Sequence, residues 1–107
     1  MTTFDERERA FETHFSREQD MEFRIAARRN RLLGVWAADL MGLTAEETDA
    51  YAKSVVQADF EEAGDDDVIR KVLGDLLSAG VEADEAVVRR ALEEQTVEAR
   101  RQLMEAK

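Results

Sequence analysis

Apolar side chains recur at steps of three, four or seven along most of this 107-residue chain, the spacing of one face of a helix. From Asp20 to Met41 they fall at Met21, Ile25, Leu32, Leu33, Trp36 and Leu40, which predicts one long amphipathic helix ended by Gly42. Gly34 inside it costs about 1 kcal/mol relative to alanine, so a close approach by a neighbouring helix is expected there. Thr44-Ala45-Glu46-Glu47 is a capping box and predicts a second helix, with a stripe at Tyr51, Ala52, Val55, Val56 and Phe60 and a stop at Gly64. Asp65, Asp66 and Asp67 suit a helix N-terminus and open a third stripe at Val68, Ile69, Val72, Leu73, Leu76 and Leu77, closed by Ser78-Ala79-Gly80. Asp84 or a neighbour caps a fourth helix with Val87, Val88, Ala91, Leu92, Ala99 and Leu103 on one face. Period-two alternation is not sustained anywhere, and the short connections predict antiparallel neighbours. The fold class is all-α: a four-helix bundle over residues 20–107, preceded by a leader over residues 1–19.

The leader has a different texture. Phe4, Phe11 and Phe15 are seven and four apart and would form a narrow aromatic edge on a helix, while most of their neighbours are charged. Glu8 and Glu12 repel at helical spacing and Asp5 attracts Arg9, so local support is small, and an isolated helix of this length is marginal in water. The leader is therefore either an extension of the first helix packed on the bundle or a disordered segment that folds when its aromatic edge meets a partner.

Charge sharpens this division. The net charge is -10, yet residues 1–31 carry seven acids and seven bases, whereas residues 39–67 carry ten acids against Lys53 alone. Phosphate backbones repel such a chain, so nucleic acid is not an expected partner. Cysteine is absent, which removes disulfides, thiolate metal sites and thiol nucleophiles. The apolar runs fall far short of the roughly 20 residues needed to span a bilayer, so direct membrane insertion is not expected. Composition suits a soluble, cytoplasmic domain, and the free protein is expected to be monomeric.

The residues offer little chemistry. His14 is the sole histidine and no second ligand accompanies it at a metal-binding spacing. Asp59 to Arg70 resembles a calcium loop in placing Gly64 sixth, but Ala63 and Arg70 stand where the fifth and twelfth ligands belong. Ser16, Ser54 and Ser78 lie in no nucleophile motif, and the scattered glycines form no phosphate loop. No catalytic residue, metal or cofactor is expected. The basic cluster Arg28-Arg29-Asn30-Arg31 could grip phosphate or carboxylate, but mid-helix its first expectation is to flank the core and pair with the acids between Asp39 and Asp67.

Three stretches carry a family resemblance: Phe4-Asp5-Glu6-Arg7-Glu8 with Phe11-Glu12, Ala27-Arg28-Arg29-Asn30-Arg31-Leu32-Leu33-Gly34 with Trp36-Ala37-Ala38, and Gly64-Asp65-Asp66-Asp67-Val68. The chain resembles the zeta subunit of alphaproteobacterial F-type ATP synthase over nearly its whole length, although beyond about Gly80 only helical character matches. The resemblance implies a four-helix bundle that is not an enzyme and that inhibits ATP hydrolysis. It implies partners in the alpha, beta and gamma subunits of the catalytic head, with the leader inserted at an alpha/beta interface. Phe4, Asp5, Arg7, Glu8, Phe11, Glu12 and Phe15 are then the expected partner-binding residues, and the protein is held near the inner membrane through the synthase. An alternative of another class is an acidic adaptor, or nucleic-acid mimic, that binds a basic protein surface through residues 39–67.

Overall fold

The structure, a computed structural model, describes the backbone of residues 2–61 and 65–105 and the side chains of residues 19–59 and 65–105. Four helices follow in order: α1 (Thr2–Met41), α2 (Ala45–Glu61), α3 (Asp66–Ser78) and α4 (Glu85–Glu105). No strand occurs among the described residues.

Each described boundary has a local cause. Gly42 takes φ 72°, and its N–H donates to Asp39 O while Leu43 N–H donates to Ala38 O, the two bonds of a Schellman turn. Gly80 does the same at φ 80°, with Gly80 N–H to Leu77 O and Val81 N–H to Leu76 O. The capping box is reciprocal: Glu47 N–H donates to Thr44 Oγ1 at 3.2 Å, and Thr44 N–H to Glu47 Oε1 at 2.9 Å. That donation holds the Glu47 carboxyl below its ordinary pKa range. Asp84 Oδ1 accepts from Val87 N–H at 2.9 Å and caps α4. Asp65 occupies the N-cap of α3 without capping it, because its carboxylate lies 3.1 Å from Arg29.

Packing is centred on α1, which touches α2, α3 and α4; α3 also touches α2 and α4, whereas α2 and α4 do not meet among the described residues. The chain runs up, down, up, down. Gly34 lies against Ala52 and Arg29 reaches Asp59, so α2 is antiparallel to α1. Trp36 shares a crevice with Ala91 and Arg28 reaches Gln102, so α4 is antiparallel as well. The core contains Leu33, Ala37, Val55, Val68, Ile69, Val72, Leu76, Val88, Ala91 and Leu92, and the shortest helix supplies four of them. Burying a side chain of that size stabilises by about 1.5–3 kcal/mol, which is why a 13-residue helix is held firmly in place.

The expected close approach at Gly34 is present: a Cβ there would lie 2.7 Å from Ala52 Cα. Some stripe positions differ from the sequence pattern. Leu40, Leu77 and Val87 are exposed, each in a terminal turn where the bundle ends. Ala37 and Ala38, three and four residues beyond Gly34, are fully buried. Arg29 and Asn30, polar residues outside the predicted stripe, are buried too.

Candidate functional site

The basic cluster on α1 divides into three roles. Arg29 turns inward and bridges the flanks of the α2–α3 connection, 3.8 Å from Asp59 and 3.1 Å from Asp65. Its Nε and one terminal nitrogen also donate to Asn30 Oδ1, both at 3.1 Å, while Asn30 Nδ2 is buried with no hydrogen-bond partner among the described residues. Arg31 donates to Asp49 at 2.9 Å, and Lys53 shares that carboxylate at 3.1 Å. Those two cations, Arg31 first, hold the Asp49 carboxyl below its ordinary range. Arg28 points to α4 and donates to the neutral amide of Gln102 at 3.0 Å. The expected pairing with the acidic segment therefore holds for Arg29 and Arg31, while Arg28 finds no carboxylate among these contacts.

Acids of residues 39–67 are largely engaged from within. Besides Asp49, Asp59 and Asp65, Asp66 pairs with Arg89 at 3.0 Å and Asp67 with Arg70 at 3.5 Å. Across the same side of the molecule Tyr51 donates its hydroxyl to Asp75 at 2.8 Å, and Lys71 donates to that carboxylate at 3.1 Å. Burial, then the Asp75 charge and bond, push the Tyr51 hydroxyl well above its ordinary pKa, so it stays a donor. Asp59 and Asp65, which the sequence placed in a pseudo-calcium loop, serve Arg29; Ala63 and Gly64 lie outside the described residues.

The seven expected partner-binding residues, Phe4, Asp5, Arg7, Glu8, Phe11, Glu12 and Phe15, fall on the backbone of α1, but their side chains lie outside the described residues, as does that of His14. The packing of the leader against the bundle lies outside them as well. No described helix is long and apolar enough to cross a membrane.

Comparison with known proteins settles the family. The sequence profile of ATPase inhibitor subunit zeta matches residues 1–102. The chain belongs to that family. A protein whose structure was determined by solution NMR is 48% identical, over 81% of this chain and 99% of that one, with a TM-score of 0.72. No curated protein matches the chain. The zeta match runs well into α4, so the kinship beyond Gly80 is one of sequence and not of helical character alone. Membership of an inhibitor-subunit family implies a regulatory, non-catalytic protein. Sequence inspection missed a second feature, a groove along α1 between α2 and α4, because its lining comes from three helices and interleaves charged with apolar positions.

Proposed function

We propose that the protein inhibits ATP hydrolysis by F-type ATP synthase, with residues 1–19 as the inhibitory segment and residues 20–107 as a bundle that stays outside. The observation that carries this reading is the match to ATPase inhibitor subunit zeta, which includes the whole leader. The segment inserts at a catalytic alpha/beta interface against the central stalk, where a wedged helix raises the barrier to the opening that turnover requires. Phe4, Phe11 and Phe15 are the buried anchors, with Asp5, Arg7, Glu8 and Glu12 at the polar rim. Two features support this reading. The spacing of the phenylalanines continues at Glu22, Ala26, Arg29 and Leu33 on the same helix, so one element can serve partner and core in turn. Five of the ten acids that an adaptor or nucleic-acid mimic would present, Asp49, Asp59, Asp65, Asp66 and Asp67, are already paired with Arg29, Arg31, Lys53, Arg70 or Arg89.

Steady-state hydrolysis by the purified cognate enzyme tests the proposal. The full chain should slow it, and removal of residues 1–19 should abolish the effect. Phe11→Ala with Phe15→Ala in the full chain should weaken inhibition at least tenfold, since truncating an interface anchor costs about 2 kcal/mol or more. Undiminished inhibition by the truncated chain would overturn the assignment of the leader.

A further inference from the structure

On the face of α1 turned away from α3, the chain forms an open groove of about 800 Å³. Its lining comes from α1, α2 and α4 and includes no residue of α3. Those are the three helices against which α3 packs. Because α2 and α4 do not touch each other among the described residues, the groove repeats in outline the seat that α3 fills, with α1 as floor and the other two helices as walls. A trough of this kind is shaped for a helix.

Its chemistry narrows the occupant. Ala27 and Leu32 of α1, Val56 of α2 and Leu103 of α4 are half-buried and give an apolar floor. Arg24, Arg28, Arg31 and Lys53 are exposed around it. Their partners offset only part of this charge, two carboxylates against four cations: Arg24 pairs with Asp20 at 3.5 Å, Arg31 and Lys53 share Asp49, and Arg28 donates to the uncharged Gln102. A positive rim therefore persists on a chain whose net charge is -10. Apolar floor, cationic rim and helical outline together describe the complement of an amphipathic helix with carboxylates flanking an apolar stripe.

We propose that this groove is a docking site for an acidic amphipathic helix of a protein partner, separate from the inhibitory leader. The apolar stripe of the bound helix lies over Leu32, Val56 and Leu103, and its carboxylates meet Arg24, Arg28 and Lys53. Arg28 can exchange its neutral partner for a carboxylate at little cost in existing bonds. Contact through the groove adds to contact through the leader, so the two linked contacts hold more tightly than either alone.

The test uses the full chain, isotope-labelled for NMR, and two 16-residue helical peptides, one of leucine, alanine and glutamate and one with lysine replacing glutamate. The glutamate peptide should shift amide resonances of residues 24–32, 53–57 and 102–103, and raising salt should weaken its binding. Arg28→Glu should raise its Kd at least tenfold while leaving the thermal midpoint unchanged; if that variant does not fold, Arg24→Glu takes its place. Equal binding of the lysine peptide, shifts centred elsewhere, or no binding at millimolar peptide would overturn the proposal. So would displacement of the peptide by tripolyphosphate at an equal or lower concentration, which would mark the groove as a small-anion site. None of these outcomes depends on whether the leader inhibits an ATPase.

Discussion

The upper and lower stretches of α1 pack by different physics. Between Leu33 and Ala38 the helix meets its neighbours through shape: Gly34 sits against the Ala52 backbone, and Leu33, Ala37 and Ala38 are wholly buried. Between Arg24 and Arg31 it meets them through charge and hydrogen bonds, to Asp59, Asp65, Asp49 and Gln102. The change falls where α3 begins, since Asp65 at its N-cap pairs with Arg29. At both levels the face of α1 turned away from α3 stays open to solvent, exposing Arg24, Arg28 and Arg31 below and Val35 and Asp39 above. One helix thus packs by shape in one stretch and by charge in the next.

Substitutions at three sites test how the bundle is held, from the largest effect to the smallest. Gly34→Val should destabilise most, by about 3 kcal/mol, since a Cβ 2.7 Å from backbone cannot be accommodated by a rotamer change. Even alanine should lose stability there despite gaining about 1 kcal/mol of helix propensity. Urea unfolding should show the same loss at low and high salt; a loss that salt erases would mean the upper stretch is not held by shape. Arg29→Ala should cost about 2 kcal/mol, because it strands Asp59 and the Asn30 carbonyl in a largely buried site. Arg29→Lys, which keeps the charge but not the forked donors, should recover only part of it. A neutral outcome for Arg29→Ala would remove charge from the account of the lower stretch.

The smallest effect is expected at the lower end of α4, where Arg101 pairs with Glu98 and with Glu105. The Arg101 bond, then that of Gln102, lowers the Glu98 carboxyl from 4.5 to about 2. A carboxylate depressed in the folded state adds stability that is complete above its unfolded pKa and is lost as pH falls through the folded value. The Glu98 contribution should therefore fade between about pH 4.5 and pH 2. It is solvent-exposed and will shrink with salt. In Arg101→Gln the Glu98 pKa followed by NMR should rise toward 4.5; an unchanged titration would assign the depression to another cause.

Much of this fold was legible in the sequence because its signals are local. Thr44 with Glu47, Asp84, Gly42 and Gly80 act within a few residues of themselves, and each does in the structure what its type requires. Gly34 was legible for a related reason: a glycine amid strong helix formers needs a tertiary cause. The stripes were less faithful, because pattern rewards large side chains. Leu40, Leu77 and Val87 match the period but sit in terminal turns, whereas Ala37 and Ala38 are wholly buried despite their small side chains. The burial of Arg29 and Asn30 was invisible as well, since Asp59 and Asp65 reach Arg29 only through the tertiary fold. The leader stood out by composition alone, whereas the groove depends on Val56 and Leu103, residues that single stripes assign to the core and that α2 and α4 carry to opposite walls.

The separation of α2 from α4 also has a kinetic consequence. Without a shared interface among the described residues, they meet α1 in two distinct events, coupled only through α1 and α3. The first is fast: α1 and α2 are joined by three residues, Gly42 to Thr44, so their hairpin closes over a short loop. The second is slow, because α4 must find α1 across separations such as the 74 residues between Arg28 and Gln102. Folding should accordingly begin in the first half of the bundle and finish at the tail. In the native protein the same order reversed makes α4 the first helix to detach, so its amides should exchange with solvent sooner than those around Leu33.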